Sequence, residues 1–161
     1  MKNEKAIFSA GCFWHVQHEF DKLKGVVSTQ VGYIGGDEVK YPNPKYELLH
    51  GDKTGYAEAV EVIFNPEVLT YEKLLKFFWQ MHDPTLYNKQ GLDEGSQYRA
   101  TIFYLDDLQK EMAESSKKEI EVRIVPKKVY TSIEKAGTFF VAEEYHQKYV
   151  EKHGVDACPI K

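Results

Sequence analysis

Residues 56–82, YAEAVEVIFNPEVLTYEKLLKFFWQMH, change rhythm halfway. In the first half Ala57, Ala59, Val60 and Val62 alternate with charge, close to the period of two that a strand shows. Asn65-Pro66 ends the run, because proline has no N–H for a ladder and asparagine favours turns. From Thr70 the period lengthens. Apolar residues fall at 74, 75, 78 and 81, which is one face of a helix. Thr70 is the expected N-cap, with Lys73 at the position where a capping box carries Glu. The same strand-then-helix change occurs at the start of the chain. Residues 4–9, EKAIFS, read as a strand. From Cys12 to Leu23 a helix is expected, with Phe13, Val16, Phe20 and Leu23 on one face. GVVSTQVGYIGG, residues 25–36, is a β-branched strand closed by a Gly-Gly turn. Residues 37–55 read as irregular, with one helical turn at KYELLHG. NKQGLDEGSQ, residues 88–97, is a turn-rich loop and YRATIFYL a strand. Residues 106–120 form a charged, mostly solvent-facing helix. KKVYTSI is one more strand, and AEEYHQKYVEKHG a short helix closing at Gly154.

The first six elements therefore run β-α-β-β-α-β, the order of the split βαβ or ferredoxin-like plait. The expected fold is α+β, a two-layer plait with this core and a C-terminal extension, its helices on one face of an antiparallel-rich sheet. The chain has 161 residues, 42% hydrophobic and 14% aromatic, which suits one domain over 1–161 with an ordinary core. Residues 150–161 are expected to form a mobile tail carrying the second cysteine. The net charge is −4 and no basic run stands out, so nucleic acid is not an expected partner. No apolar run approaches a membrane span, and no signal-length apolar segment opens the chain. A cytoplasmic monomer is the expectation. Two cysteines in such a chain do not resemble a secreted disulfide framework, so in a reducing compartment they are thiols.

The first of them sits in FSAGCFWHVQHEF, residues 8–20. Cys12 follows Gly11 where a strand is expected to turn into a helix. A helix start offers unpaired N–H groups and partial positive charge, and both favour a thiolate. Free cysteine is also among the most buried residue types, so a packing role stays open from the residues alone. Phe13 fits the apolar stripe and Trp14 does not. An aromatic off the buried face, beside a nucleophile, suits the wall of an apolar pocket.

GCFW after a strand, then VGYIGG, YPNPKYELL, TGYAEAVEVIFNP, FFWQMHDPT, NKQGLDEGSQYRATIFY and FFVAEEYHQKYV, together resemble the A-type peptide methionine sulfoxide reductases. The resemblance implies reduction of the S epimer of methionine sulfoxide, free or in proteins. It implies Cys12 as the nucleophile that becomes a sulfenic acid, and Phe13 and Trp14 as the methyl pocket. Glu58 matches the acid, which a buried site would keep protonated. Tyr46 and Tyr98 match tyrosines that hydrogen-bond the sulfoxide oxygen. Asp93 matches an aspartate holding the polar side through water. Cys158, in DACPIK, is the candidate resolving thiol, which would condense with the sulfenic acid to a disulfide. Thioredoxin is the implied reductant, and no metal or organic cofactor is implied.

The chain departs from the family pattern in places. His15 and Gln17 replace a glycine and a glutamate after GCFW. Tyr56 replaces a histidine before Ala57-Glu58, and Leu92 stands for asparagine before Asp93. Leu49 and His50 occupy a stretch where many relatives carry another cysteine. The residues also admit three rival readings. A cysteine hydrolase would need a histidine base and an aspartate, for which His82-Asp83, His146 and Asp156 supply the types. A metal site would use His15 and His18, three apart on one helix, with Glu19. A non-catalytic redox sensor would keep Cys12 but have no use for Glu58, Tyr46 and Tyr98 together.

Overall fold

The computed structural model describes residues 2–49 and 53–154. The anticipated strand–helix pairs form as β1 (Glu4–Ser9) with α1 (Phe13–Asp21), and β3 (Ala57–Phe64) with α2 (Tyr71–Met81), while β2 is Val26–Ile34. Thr70 caps α2, its side chain accepting the Lys73 N–H at 3.2 Å. A turn of 3₁₀ helix covers Tyr46–Leu49. The turn-rich loop holds a tiny hairpin, β4 (Lys89–Gln90) and β5 (Asp93–Glu94), and a second 3₁₀ turn, Ser96–Tyr98. After β6 (Thr101–Tyr104) comes α3 (Asp107–Ile124), capped by Asp106. Only Gln109 and Ala113 of α3 are buried, as its charge predicts. It runs one turn past Ile120 because no breaker occurs before Pro126, and the residue before a proline is pushed out of the α region. Two edge strands follow, β7 (Ser132–Lys135) and β8 (Phe140–Val141).

The six-stranded sheet has the order β7-β6-β1-β3-β2-β8. Every neighbouring pair is antiparallel except β6 and β7. The fold is thus α+β around a mostly antiparallel sheet, with four helices among the described residues. Ala6, Phe8, Val31, Tyr33, Val60, Val62 and Phe64 face the helices and pack with Phe13, Val16 and Phe20 of α1 and Leu74, Leu75 and Phe78 of α2. Phe8 stacks between Phe20 at 5.1 Å and Phe78 at 4.9 Å. The opposite face, with Ile7, Ile34, Ala57, Ala59 and Phe103, lies under Ala136 and Phe139. Because both faces are covered, the glutamates of the central strand β3 are buried rather than solvated. Strand residues alternate sides. Ala57 and Ala59 therefore do not flank Glu58 in the site, as their adjacency suggests, but line the other face.

The C-terminal segment departs from one continuous helix. It is a 3₁₀ turn, Glu144–His146, and a short α4, Tyr149–His153, separated by Lys148 at φ 55°. Tertiary hydrogen bonds outcompete helix propensity here. The Gln147 side chain accepts from Val31 N–H at 2.9 Å and donates to the Val31 and Ala142 carbonyls at 3.0 and 3.1 Å. The Lys148 N–H donates to Gln17 Oε1 at 2.8 Å. Buried Gln17 also donates to the Thr29 carbonyl and hydroxyl, which explains an amide in place of a carboxylate: both ends of the group are used. Val150 is buried within the expected tail, while residues 155–161, Cys158 included, lie outside the described residues.

His82, at the end of α2, gives the fold an acid sensitivity. Nδ1 lies 2.6 Å from the Phe78 carbonyl, which can only accept, so Nδ1 carries the proton. Nε2 then accepts from the Thr131 hydroxyl at 2.8 Å. Burial pushes the His82 pKa down to about 4. The unfolded chain binds this proton more readily, so the stabilisation is present above about pH 6.5 and is lost as pH falls toward 4. Urea titrations at pH 7 and pH 4.5 should show the native chain losing roughly 2–3 kcal/mol more than a His82→Gln variant. An equal loss in both would assign the acid sensitivity elsewhere.

Candidate active site

The turn from β1 into α1 places Cys12. Gly11 takes φ 88°, a conformation that costs any residue with a Cβ, and Cys12 follows as the N-cap in extended geometry. The Cys12 carbonyl accepts the His15 and Val16 N–H groups at 3.2 and 3.3 Å, so the thiol stands at the positive end of the helix. Cys12 is 6% exposed and packs against Val150 and Trp14.

Glu58 reaches the same helix start from below. It lies opposite Tyr33 in the β2–β3 register, on the helix-facing side of the sheet, and is 1% exposed. Its Oε1 accepts the Phe13 N–H at 3.2 Å. A carboxyl group and the residue next to the thiol are thereby locked together across 45 positions of chain.

Tyr46 and Tyr98 close in from two 3₁₀ turns. The Tyr98 hydroxyl hydrogen-bonds Tyr46. Burial first, then the charges of Glu58 and Cys12, pushes the Tyr46 phenol up to about 12. Burial, Glu58, Tyr46, Asp93 and Cys12 push Tyr98 higher still. Both phenols therefore stay protonated at neutral pH and serve as donors. Burial also raises Asp93, whose Oδ2 is enclosed with no hydrogen-bond partner among the described residues. Five of the expected residues, Cys12, Glu58, Tyr46, Tyr98 and Asp93, thus share one electrostatic neighbourhood.

Aromatic rings wall it. Trp14 stacks on Tyr149 at 3.8 Å and 8°, and its Nε1–H donates to His146 Nδ1 at 2.9 Å. His146 lies 4.5 Å from Tyr46 and 5.1 Å from Phe13 between ring centroids. Phe13 is wholly buried and also meets Tyr33 at 5.7 Å. Glu143 ties this wall to the sheet, accepting from the Tyr33 hydroxyl at 2.7 Å and from the Tyr46 N–H at 3.2 Å.

His146, Tyr149, Glu143 and Tyr33 are the residues that sequence reasoning passed over as parts of this site. His146 stands out only as a possible hydrolase base. With Nδ1 accepting from an indole, which can only donate, its neutral ring carries the proton on Nε2. Burial holds His146 below the ordinary histidine value. His82 has both nitrogens engaged elsewhere, and Asp156 lies outside the described residues. Among the described residues no group of three His, Cys, Asp or Glu side chains could hold a metal ion. Burial lowers His15 as well, so near neutral pH it brings no positive charge to the thiol. Tyr56 is not in the site. Its ring packs on Gly36, where a Cβ would come within 2.4 Å, and its hydroxyl donates to the Tyr41 carbonyl at 2.7 Å. A groove of about 790 Å³ between α2 and α3, around Trp79 and Met112, shares no residue with this constellation.

Residues 4–161 match the family model described as peptide methionine sulfoxide reductase. A relative from Methanothermobacter thermautotrophicus, "Peptide methionine sulfoxide reductase MsrA", is 50% identical over 156 residues, covering 96% of this chain and 90% of its own length. The crystal structure of Mxr1 from Saccharomyces cerevisiae in reduced form superposes with a TM-score of 0.89 at 36% identity, over 96% of this chain and 87% of that one. Mxr1 in complex with Trx2 is similar at a TM-score of 0.65 and 25% identity, over 99% and 88%. Among the described residues no helix is long and apolar enough to cross a membrane.

Proposed function

This chain belongs to the peptide methionine sulfoxide reductase family, and on that premise we propose that it is an oxidoreductase returning methionine S-sulfoxide to methionine with Cys12 as its nucleophile. The observation that carries the assignment of roles is the Glu58–Phe13 hydrogen bond, which holds an enclosed carboxyl against the helix start that bears the thiol.

The Cys12 thiolate attacks the sulfoxide sulfur. As the S–O bond breaks, negative charge builds on oxygen. Glu58 supplies a proton there, and the Tyr46 and Tyr98 hydroxyls hydrogen-bond the same atom. The protonated oxygen passes to the Cys12 sulfur as the bond between Cys12 and the substrate sulfur breaks with its electron pair left on methionine. Methionine leaves, the sulfoxide is reduced by two electrons, and Cys12, oxidised by two, is a sulfenic acid. Phe13 and Trp14 hold the methyl group, the apolar end that tells a sulfoxide from a hydrated ion. Asp93, whose enclosed Oδ2 has no partner among the described residues, holds a water at the polar side. Cys158 then attacks the sulfenic sulfur, releasing water and forming the Cys12–Cys158 disulfide. A thioredoxin dithiol reduces that disulfide and is itself oxidised. The similar Mxr1, solved with Trx2, supports a partner of this kind.

The reading extends to the rest of the molecule. The spatial order β6-β1-β3-β2, antiparallel throughout, supports a split βαβ winding of the core, with β7 and β8 added at its edges. The chain acts as one catalytic domain and a monomer, in a cytoplasm that keeps both thiols reduced, with no nucleic acid partner.

The test is a peptide carrying one resolved sulfoxide epimer, with methionine followed by mass. Turnover of the S epimer alone is expected with dithiothreitol. With thioredoxin as reductant, a Cys158→Ser variant should stop after about one turnover, while dithiothreitol restores it. Equal turnover of both epimers, or none, would overturn the assignment.

A further inference from the structure

Three exposed apolar side chains stand one or two positions from the floor of the site. Leu92 precedes Asp93 at the tip of the β4–β5 hairpin and is 77% exposed. Leu48 follows Tyr46 by two residues and is 47% exposed, and Tyr145 precedes His146 and is 52% exposed. Each has an exposed carboxylate beside it, in Glu94, Glu47 and Glu144 respectively. The three segments converge. Tyr46 and His146 are in ring contact, Asp93 bears on both Tyr46 and Tyr98, and the Glu47 charge reaches Tyr145 and His146. At their base, His146 Nε2, Asp93 Oδ2 and Gln97 Oε1 are enclosed without a partner among the described residues. His146 is wholly buried and Gln97 nearly so. In a bound polypeptide the side chains on either side of the sulfoxide meet the rim above these groups.

We propose that this rim recognises the residues flanking methionine sulfoxide in a polypeptide, accepting apolar and basic neighbours and rejecting acidic ones. The inference rests on the reductase reading and names its substrate class. Methionine is usually buried among apolar residues, and oxidation of such a segment disrupts its packing and exposes those neighbours with it. An exposed Leu or Tyr in water gains by covering them. Carboxylates spaced between the apolar contacts attract a flanking Lys or Arg and repel Asp or Glu. Leu92 is the sharpest element, because asparagine at this position would offer no apolar contact.

Three peptides of equal length test it, with S-sulfoxide flanked on both sides by Leu, by Lys or by Asp, and dithiothreitol as reductant. The native enzyme should favour the Leu and Lys peptides over the Asp peptide by about tenfold in kcat/KM, carried by KM. Leu92→Asn should lower the Leu-to-Asp ratio about fivefold. A Glu47→Gln, Glu94→Gln double variant should raise turnover of the Asp peptide, and added salt should erase the Lys preference. All three positions are on the surface, and thermal melting should be unchanged. Flank-independent kcat/KM in the native enzyme, or an unchanged ratio in Leu92→Asn, would overturn the proposal. So would a defect visible only with thioredoxin, which would assign the rim to docking the reductant. Absence of turnover on every peptide would instead refute the reductase reading itself.

Discussion

A Cys12→Ser variant should lose methionine sulfoxide turnover by roughly a thousandfold or more, as loss of a nucleophile does elsewhere, and should keep its fold. Serine fills nearly the same space at the N-cap, where it is a preferred residue, so stability should hold or rise slightly. The loss is chemical. A hydroxyl stays protonated at pH 7 even at a helix start, and oxygen is a harder nucleophile toward sulfoxide sulfur than thiolate. Two measurements check this: methionine formed per enzyme in a single turnover, and a thermal melt. Residual activity within tenfold of native would place the nucleophile elsewhere.

Glu58→Gln should slow sulfenic acid formation by roughly a hundred- to ten-thousandfold, the range of a lost general acid. The amide is nearly the same shape. Its carbonyl oxygen can still accept the Phe13 N–H, so the helix start is not released. What disappears is the proton for the departing oxygen. Rapid-quench trapping of sulfenic acid over a range of pH gives the readout, and the variant's profile should lose its acid-dependent limb. A rate within threefold of native, with the limb intact, would transfer the proton-donor role to the paired phenols of Tyr46 and Tyr98.

The periodicities at both strand–helix units state their elements almost to the residue, because in each the apolar side chains alone decide which side faces the core. Thr70 as a cap is equally local: one hydroxyl and one N–H three residues on. Glu58 is different. Its alternation with apolar residues reads as an outward-facing charge, and only the placement of β3 between β1 and β2, with both faces covered, turns it inward. That is information held by the whole sheet and not by residues 57–64. The hairpin at Gly91-Leu92 is too short for any period. His146, Tyr149 and Glu143 carry no pattern of their own, since their roles come from contacts with Trp14, Tyr46 and Tyr33, about a hundred or more positions away. The family motifs name Cys12, Glu58, Tyr46, Tyr98 and Asp93 without that geometry, as residues the structure gathers in one place, while no motif names the wall around Trp14.

Gln147 and Lys148, seated on β2 and α1, have a bearing on how the protein is made. The ribosome releases Cys12, Phe13 and Trp14 first, and Glu58 after them. Their aromatic wall and the strand that edges β2 come from residues 140–149, made well after Glu58, so they reach the sheet only after its central strands can pair. Contacts across such separations form slowly, since a long loop must close before they repay it. A chain cut before β8 would therefore carry its thiol with Trp14 unclamped. The site is complete only once residue 149 has left the ribosome, and a copy terminated before it has a cysteine but not a catalyst.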